Sequence, residues 1–319
     1  IYWIFGFLRM GVTGLTSQAY GGNDGAEVKA LLLRGAGLGL GLGLILFLMQ
    51  WPMSQAALAV MSGSEQAEKE AHAYVTARFW GAPAALGVYA LNGWLLGLGK
   101  TKQALHLQVF MNVANIGFDL LFVLGLKMGV AGVGFGTATA EWLALLFGAF
   151  LCWRIAQHAF GWRPQDYLIP HLLSPAKLKR MFAVNANIMV RTIALLALFI
   201  WFTNSGARQG DTILAANHIL LQILSISAFV LDALAFTAEA RVGQAIGSGN
   251  RSAFQRAVRL TGEFALISGL LLAIVSLAGG VYFILALTDK ENVRQLALTF
   301  LPFAAITPLI GVASWMLDG

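Results

Sequence analysis

Long apolar stretches alternate with short polar segments along almost the whole chain. An α-helix rises 1.5 Å per residue, so about 20 apolar residues cross the ~30 Å hydrocarbon layer of a membrane. The pattern predicts nine such spans, with ends placed to within about two to four residues. They are 1–20, 31–51, 74–98, 103–126, 130–156, 181–202, 211–240, 257–287 and 293–319. The sequence therefore predicts an all-α polytopic membrane protein.

Local signals refine the second and third spans. Small residues spaced four apart let membrane helices approach closely, so the glycines of the second span predict a packing face. No strand precedes them, which disfavours a phosphate-binding loop. Pro83 lies inside the third span and predicts a kink there, and the acidic segment 62–73 predicts a solvated loop or short surface helix. The glycines are Gly35, Gly37, Gly39, Gly41 and Gly43.

A polar connection rich in proline and basic residues divides the chain into two halves. We predict an N-terminal helix bundle over 1–157, a cytoplasmic linker over 158–180 and a C-terminal bundle over 181–319. The sequence opens without Met and stops within an apolar pattern. We therefore expect it to be an internal portion of a longer, transporter-sized chain.

Composition and charge agree with a membrane protein. Hydrophobic residues make up 58% and charged residues 11% of the chain, against about 25% charged in an ordinary soluble domain. The mean hydropathy is +0.72, and the single Cys152 provides neither a disulfide nor a cysteine metal cluster. The loops near 21–34, 99–102, 154–180 and 241–259 hold 13 Lys and Arg, whereas the alternate loops hold 5. The positive-inside rule places the first set in the cytoplasm and accounts for the net charge of +6 without nucleic acid.

The main candidate for chemistry is a polar face on the fourth span. Asn115 and Asp119 are four residues apart and so share one helix face, with Asn112 one turn earlier. Thr137 and Glu141 have the same spacing on the fifth span. An ionised carboxylate at the bilayer centre costs about 2.5–3.5 kcal/mol, so such groups usually face a wet cavity and serve ions, protons or ligands. The alternative is a neutral Asp119 hydrogen-bonded to Asn115 as a structural tie.

Charged residues inside the C-terminal spans form a second group of candidates. Arg191 lies deep in the sixth span, and Asp232 or Glu239 on the next span could supply its partner. With Asn112 and Glu141, these three are candidates for lining a substrate cavity. As an ion pair they would instead fix helix register. For Glu141 the alternatives are a structural hydrogen bond or a position at the lipid interface.

An internal repeat relates the two halves. The motif Gln-Ala-x-Gly occurs at 18–21 and again 226 residues later at 244–247, and Leu-Asn-Gly at 91–93 falls on Leu-Asp-Gly at 317–319 with the same offset. Six spans separate equivalent positions, so the repeats share one orientation. Parallel repeats of this kind are typical of secondary transporters with a central cavity between two bundles.

Several segments resemble the multidrug and toxic compound extrusion (MATE) family, closest to its DNA-damage-inducible (DinF) branch. The resemblance covers essentially the whole chain and implies two six-helix bundles with a parallel repeat. The chain would then represent helix two to the start of helix ten, without the acidic residue of the family's first helix. The matching segments are 7–21, 91–97, Asn-x-x-Asn-x-x-x-Asp at 112–119, Ala-Glu at 140–141, Leu-Asp-Ala at 231–233, Glu-Ala at 239–240 and Gly-Gln-Ala at 243–245.

The resemblance implies an antiporter that exports cationic or amphipathic compounds in exchange for H⁺ or Na⁺ by alternating access. In relatives an Asn, an Asp and a Thr take part in the cation site, and the matching positions are Asn115, Asp119 and Thr137. Desolvation favours the protonated form of a carboxyl group, and the oxygens of these side chains also suit a hard cation such as Na⁺. The DinF branch favours H⁺. We expect no other cofactor, a monomer in the bacterial inner membrane, and small molecules and membrane lipid as partners.

Other functions stay open at this point. A lipid-linked oligosaccharide or lipid flippase of the same superfamily would need several basic residues for pyrophosphate, and only Arg9, Arg78 and Arg191 lie within spans. A membrane scaffold or receptor would not require Asp119. An enzyme is not expected, because the sequence has no His-Glu-x-x-His, Gly-x-Ser-x-Gly or paired-Cys pattern.

Overall fold

The computed structural model describes residues 2–60, 65–161, 172 and 174–318, and these residues form helices and turns without a β-strand. The all-α prediction is confirmed. A 3₁₀ turn over Tyr2–Gly6 precedes the first α-helix, and a π-helical segment over Leu120–Gly125 follows the sixth. The α-helices are α1 (Phe7–Gly21), α2 (Gly25–Leu48), α3 (Gln50–Val60), α4 (Glu65–Phe79), α5 (Ala82–Gly97), α6 (Thr101–Asp119), α7 (Gly129–Phe160), α8 (Pro175–Arg208), α9 (Asp211–Gly247), α10 (Arg251–Leu287), α11 (Glu291–Ile310) and α12 (Val312–Asp318).

Seven of the described helices are long and apolar enough to cross a membrane, counting α6 together with its π-helical segment. They are α2, α6, α7, α8, α9, α10 and α11. Each coincides with one of the nine predicted spans. The first predicted span contains α1, which has only 15 residues, and the third includes the end of α4 and all of α5.

The third predicted span, 74–98, is wrong as a single kinked helix. The chain instead breaks after α4, which ends at Phe79, and α5 begins at Ala82 with Pro83 in its first turn. Proline inside a helix clashes with the carbonyl four residues earlier, whereas in the first turn its missing N–H would have no partner anyway. The proline therefore starts a new helix rather than bending an existing one.

Side chains from neighbouring segments satisfy backbone carbonyls at this break. The indole Nε1 of Trp142 on α7 donates to the carbonyl oxygen of Trp80 at 3.0 Å. The hydroxyl of Tyr2 donates to the carbonyl oxygen of Arg78 at 2.6 Å. Irregular backbone inside a membrane requires partners of this kind.

Other predicted boundaries also shift. The second predicted span ends earlier, because α2 stops at Leu48 before α3 begins. The last predicted span is divided at Gly311, between α11 and α12. In the acidic segment predicted as a loop or short helix, α4 begins at Glu65, and residues 61–64 lie outside the described part of the chain.

The helices form two compact units, Ile1–Met189 and Val190–Gly319. In the first unit α5 packs against α1, α2 and α7, and α7 also packs against α4 and α6. In the second unit α9, α10 and α11 pack against one another. Most of the predicted linker, 162–171 and 173, lies outside the described residues, and α8 begins at Pro175.

The core of the first unit lies around α5. Trp94 is fully buried there, and its indole Nε1 donates to the carbonyl oxygen of Val28 on α2 at 2.8 Å. Leu91, Leu95 and Leu107 belong to the same buried cluster. These contacts fix α5 between α2 and the helices that carry the polar residues.

The glycine-rich part of α2 packs closely on α5, as the sequence predicted. A Cβ on Gly39 would come within 2.5 Å of the carbonyl oxygen of Leu86, and one on Gly43 would overlap the first turn of α5. Gly37 and Gly41 point the other way, and no described atom lies within 4 Å of a Cβ built there. The glycines spaced four apart therefore form the packing face.

The two copies of the repeat make the same turn. Asn23 in the first copy and Gly249 in the second have left-handed backbones, with φ of 55° and 66°. In each copy the next residue caps the following helix: Asp24 and Asn250 accept from the backbone N–H three residues later, at 2.9 Å and 3.0 Å. The same offset of 226 residues thus relates local structure as well as sequence.

Candidate functional site

Asn115, Asp119 and Thr137 meet where α6 packs against α7. The side-chain nitrogen Nδ2 of Asn115 donates to Oδ2 of Asp119 at 3.1 Å and to Oγ1 of Thr137 at 3.1 Å. The Thr137 hydroxyl in turn donates to the carbonyl oxygen of Val133 at 2.9 Å. One amide therefore connects the carboxylate of one helix to the hydroxyl of the next.

The two oxygens of Asp119 have different surroundings. Oδ2 accepts the hydrogen bond from Asn115, whereas Oδ1 is buried and has no hydrogen-bond donor in the described part of the chain. A Cβ on Gly136 would overlap Oδ1 and come within 3.0 Å of the Asp119 backbone nitrogen. The absence of a side chain at Gly136 thus leaves room for this carboxylate oxygen.

The helix changes its geometry at this position. α6 ends at Asp119, and the π-helical segment begins at the next residue, Leu120. π-helical turns within α-helices are rare and often occur at functional sites. Gly132 of α7 lies against this segment, where a Cβ would come within 3.1 Å of the carbonyl carbon of Phe122. Glycines one turn apart on α7 therefore accommodate both Asp119 and the widened turn.

In the part of the chain that the structure describes, neither Asn112 nor Glu141 forms a hydrogen bond with Asn115, Asp119 or Thr137. Asn112 is exposed on α6, one turn before Asn115. Glu141 is buried, one turn after Thr137 on α7, and faces α4. The cavity-lining roles suggested for both residues stay predictions.

Glu141 forms a fork-shaped ion pair with Arg78 of α4. The guanidinium nitrogens Nη1 and Nη2 of Arg78 donate to Oε2 and Oε1 of Glu141 at 2.8 Å and 2.9 Å. The two side chains are 12% and 9% exposed. The ring of Tyr2 covers the other side of the guanidinium, 4.8 Å from its central carbon. These contacts correspond to the structural hydrogen bond that was one of the alternatives for Glu141.

The sequence pattern did not identify Arg78 and Gly136 as neighbours of the polar residues. Arg78 and Glu141 are 63 positions apart on helices that are not adjacent in sequence, so spacing provides no signal for their pairing. Gly136 could have been noticed, because it immediately precedes Thr137 in a run with glycine at every second position.

The second unit contains the other predicted charged group. The charge of Arg191 on α8 interacts most strongly with Glu239 and then with Asp232, both on α9. Glu239 is buried and Asp232 is half-buried. The pairing of Arg191 with Asp232 or Glu239, and a role of these residues in a substrate cavity, stay predictions.

The Asn115, Asp119 and Thr137 group can bind a proton or a small cation. Oδ1 of Asp119 can accept a proton without losing the bond from Asn115 to Oδ2. Carboxylate, hydroxyl and amide oxygens are also hard ligands of the kind that Na⁺ requires. The described residues contain no cluster of three or more His, Cys, Asp or Glu.

Comparison with known proteins identifies the family. The MatE family model matches residues 1–121 and 187–319. DNA damage-inducible protein F of Escherichia coli K12 is 33% identical over 316 residues, which cover 98% of this chain and 67% of that protein. Protein DETOXIFICATION 44 of Arabidopsis thaliana, a chloroplastic protein, is 24% identical over 78% of this chain and 46% of its own length.

The fold agrees with this relationship. The solved structure of a MOP superfamily transporter from Pyrococcus furiosus superimposes with a TM-score of 0.85 at 19% identity, over 99% of this chain and 71% of that chain. The membrane-length helices identify a multi-pass membrane protein. Because the family model and the Escherichia coli relative match most of the sequence, the chain belongs to the MatE family of multidrug and toxic compound extrusion proteins, which are transporters rather than enzymes.

Proposed function

We propose that the intact protein is an ion-coupled antiporter that exports cationic or amphipathic compounds across the bacterial inner membrane. Uptake of H⁺, or alternatively Na⁺, drives export by alternating access. The coupling ion binds at Asp119, with Asn115 and Thr137 holding the carboxylate and completing the site.

The observation that carries this proposal is the asymmetric environment of Asp119. One carboxylate oxygen is held by Asn115, and the other is buried beside Gly136 without a donor among the described residues. A carboxylate in this setting gains a partner when it binds a proton or a cation. A purely structural contact between helices would not need the second carboxylate oxygen to remain without a hydrogen-bond donor.

The pairing of the basic residues favours a drug antiporter over a flippase. A flippase cavity would present several cationic side chains to pyrophosphate. Arg78 is instead neutralised by Glu141, and the charge of Arg191 interacts with Glu239 and Asp232. Two of the three arginines that lie within predicted spans are therefore engaged with carboxylates.

Proton release on substrate addition tests the proposal. A cationic dye is added to the detergent-solubilised intact protein, with and without Na⁺, for the wild type and for Asp119→Asn. We expect the wild type to release protons and the variant to release none above background, because an amide has no titratable proton in this range. Release that disappears when Na⁺ is added would indicate that Na⁺ occupies the same site.

A matched control uses another aspartate. Asp211→Asn makes the same chemical change at an exposed position at the start of α9, and we expect it to release protons like the wild type. Proton release by Asp119→Asn equal to that of Asp211→Asn would remove Asp119 from the coupling site.

A further inference from the structure

α7 packs against α4, α5 and α6, and glycines lie at its contacts with α4 and α6. On the α4 side, a Cβ on Gly134 would come within 2.6 Å of the Ala77 Cβ and 2.9 Å of the Tyr74 carbonyl oxygen. On the α6 side, Gly136 lies against Asp119. Glycine surfaces permit close approach of helices but supply no side chain that interlocks with a neighbour. At these positions polar contacts therefore add to apolar ones, such as that of Phe147 with Phe110 of α6 at 4.7 Å between ring centroids, in setting the register of α7.

An ion pair between Arg78 and Glu141 connects α4 to α7. Two parallel bonds of 2.8 Å and 2.9 Å form only when guanidinium and carboxylate lie in one plane with matched orientation. Fixing register is the best-attested use of a buried polar pair. The ring of Tyr2 limits movement of the guanidinium on its other side.

Glu141 and Thr137 lie on the same face of α7. Residues four apart on a helix have side chains about 5–6 Å from each other, so a rotation that displaces one displaces the other. The bond from Asn115 to Thr137 is 3.1 Å long, close to the upper end of the usual range of about 2.7–3.2 Å for N–H···O bonds. A small displacement of α7 would therefore break it.

We propose that Glu141 is a positioning residue for the cation site. Its pair with Arg78 sets the register of α7 and so holds Thr137 against Asn115 and Gly136 against Asp119. This inference rests on the proposed function, because the site it positions is the one assigned there to the coupling ion. Glu141 itself does not bind the ion in this scheme.

Tyrosines are the other titratable groups around the ion pair. The charge of Arg78 interacts with Tyr2 and Tyr74, and Tyr89 interacts with Glu141, Arg78 and also Arg9. Tyrosine side chains are neutral near pH 7. Because Arg78→Lys keeps the Glu141 carboxyl group, a changed pH dependence in both Arg78→Lys and Glu141→Gln would report on the cation site rather than on titration of Glu141 or these neighbours.

The experiment measures the affinity of the site for its ion in the intact protein. For the wild type, Glu141→Gln and Arg78→Lys, we measure the pH midpoint of dye-induced proton release. We also measure the Na⁺ concentration that has half its maximal effect on this release. We expect Glu141→Gln to shift the midpoint by about one pH unit or to change ion affinity about tenfold, as outer partners of metal ligands do. The maximal rate should change less. Arg78→Lys keeps the charge but loses the two parallel hydrogen bonds, so its shift in the pH midpoint should be intermediate.

A reversed pair tests for rescue. Arg78→Glu combined with Glu141→Arg restores a fork-shaped pair with opposite polarity, and we expect it to return ion affinity to within about threefold of the wild type if it folds. If the reversed pair is not recovered as a monodisperse protein, the pH midpoints of Arg78→Lys and Glu141→Gln decide whether Glu141 positions the site. A wild-type midpoint in both single variants would overturn the positioning role.

A second buried ion pair in the same unit is the matched control. Glu27 on α2 pairs with Arg34 of the same helix at 2.7 Å and with Lys177 of α8 at 2.5 Å, and the Arg34 side chain is 3% exposed. Glu27→Gln should leave the pH midpoint unchanged, because α2 does not carry the cation site. An equal shift in Glu27→Gln would show a general loss of packing and would also overturn the proposal.

The Asp119→Asn variant separates the two levels of inference. If Asp119→Asn retains coupling, the proposed function fails, and the positioning role fails with it. If Asp119→Asn loses coupling while Glu141→Gln keeps the wild-type midpoint, only the positioning role fails.

Discussion

Asp119 combines a fixed oxygen with an open one. Asn115 donates to Oδ2, while Oδ1 occupies the place beside Gly136 that a side chain would fill and has no donor among the described residues. The carboxylate can therefore change its protonation or bind an ion with its position already determined.

This space leads to a prediction for Gly136→Ala. The added Cβ would overlap Oδ1 of Asp119 and press on its backbone nitrogen at 3.0 Å. Overpacking of this kind costs about 1–3 kcal/mol, and here the strain falls directly on the proposed ion ligand. We expect dye-induced proton release to be lost or strongly reduced, as measured on the intact protein.

Gly117→Ala is the matched control for this substitution. Gly117 lies on α6 between Asn115 and Asp119, yet among the residues described no atom lies within 4 Å of a Cβ built there. Alanine is favoured over glycine inside a helix by about 1 kcal/mol, so this variant should couple normally and be no less stable. Equal proton release by the two variants would contradict the close contact between Gly136 and Asp119.

Spacing and family resemblance predicted the residues of the site, but not their partners. Asn115 and Asp119 are four apart and share one helix face, whereas the resemblance to the family assigned Thr137 to the same site. The pairing of Glu141 with Arg78 depends on how α4 packs against α7, and that tertiary arrangement leaves no mark on local spacing. Whether the three residues bind the coupling ion stays a prediction.

At the scale of helices, apolar length predicts where spans lie but not where they break. The break between α4 and α5 depends on Trp142 and Tyr2, which supply donors to the carbonyls at its edge. Both donors come from distant parts of the chain, so Pro83 alone could not distinguish a kink from a new helix. The π-helical segment after Asp119 lies in the apolar run Leu-Leu-Phe-Val-Leu-Gly, which has no local signal for a changed helix type.

The glycine pattern of α2 gives a prediction for helix packing. Gly39→Val would place a branched side chain within 2.5 Å of the Leu86 carbonyl oxygen, measured from its Cβ alone. The two helices would have to separate, at a cost of about 1–3 kcal/mol or more. We expect a clearly lower midpoint of thermal unfolding for the detergent-solubilised intact protein, followed by size-exclusion chromatography after heating.

The same substitution two residues earlier is the control. Gly37 faces away from α5, and within the described ranges nothing lies within 4 Å of its Cβ position. Gly37→Val should leave the unfolding midpoint close to that of the wild type. Valine has a higher helix propensity than glycine, so a loss of stability as large as that of Gly39→Val would contradict the assignment of the packing face to Gly39 rather than Gly37.

At the scale of the molecule, the repeat is visible in both sequence and structure. Asp24 and Asn250 cap equivalent helices, and Asn23 and Gly249 take the same left-handed conformation. The two units differ in how they place charge: Arg78 meets Glu141 in the first, and the charge of Arg191 interacts with Glu239 and Asp232 in the second. A shared framework with different polar residues suits two halves that perform different tasks.

Orientation in the membrane is the last prediction. α6 and its π-helical segment together have 25 residues, enough at 1.5 Å per residue to cross a ~30 Å hydrocarbon layer. Lys102 lies at one end of this span and Lys127 just beyond the other, both exposed. The 13 to 5 distribution of Lys and Arg places the end at Lys102 in the cytoplasm, because basic loops are retained there.

Labelling of single cysteines tests this orientation directly. With a membrane-impermeant maleimide added to intact cells, Lys127→Cys should be labelled and Lys102→Cys should react only after the membrane is opened. Cys152 is fully buried, so the parent protein, with any further accessible cysteines replaced, provides the background. Labelling of Lys102→Cys in intact cells would invert the orientation. Asp119 lies closer in sequence to Lys127 than to Lys102. In an inverted chain Asp119 would therefore bind its coupling ion from the cytoplasm, whereas export driven by ion entry requires binding from the outside.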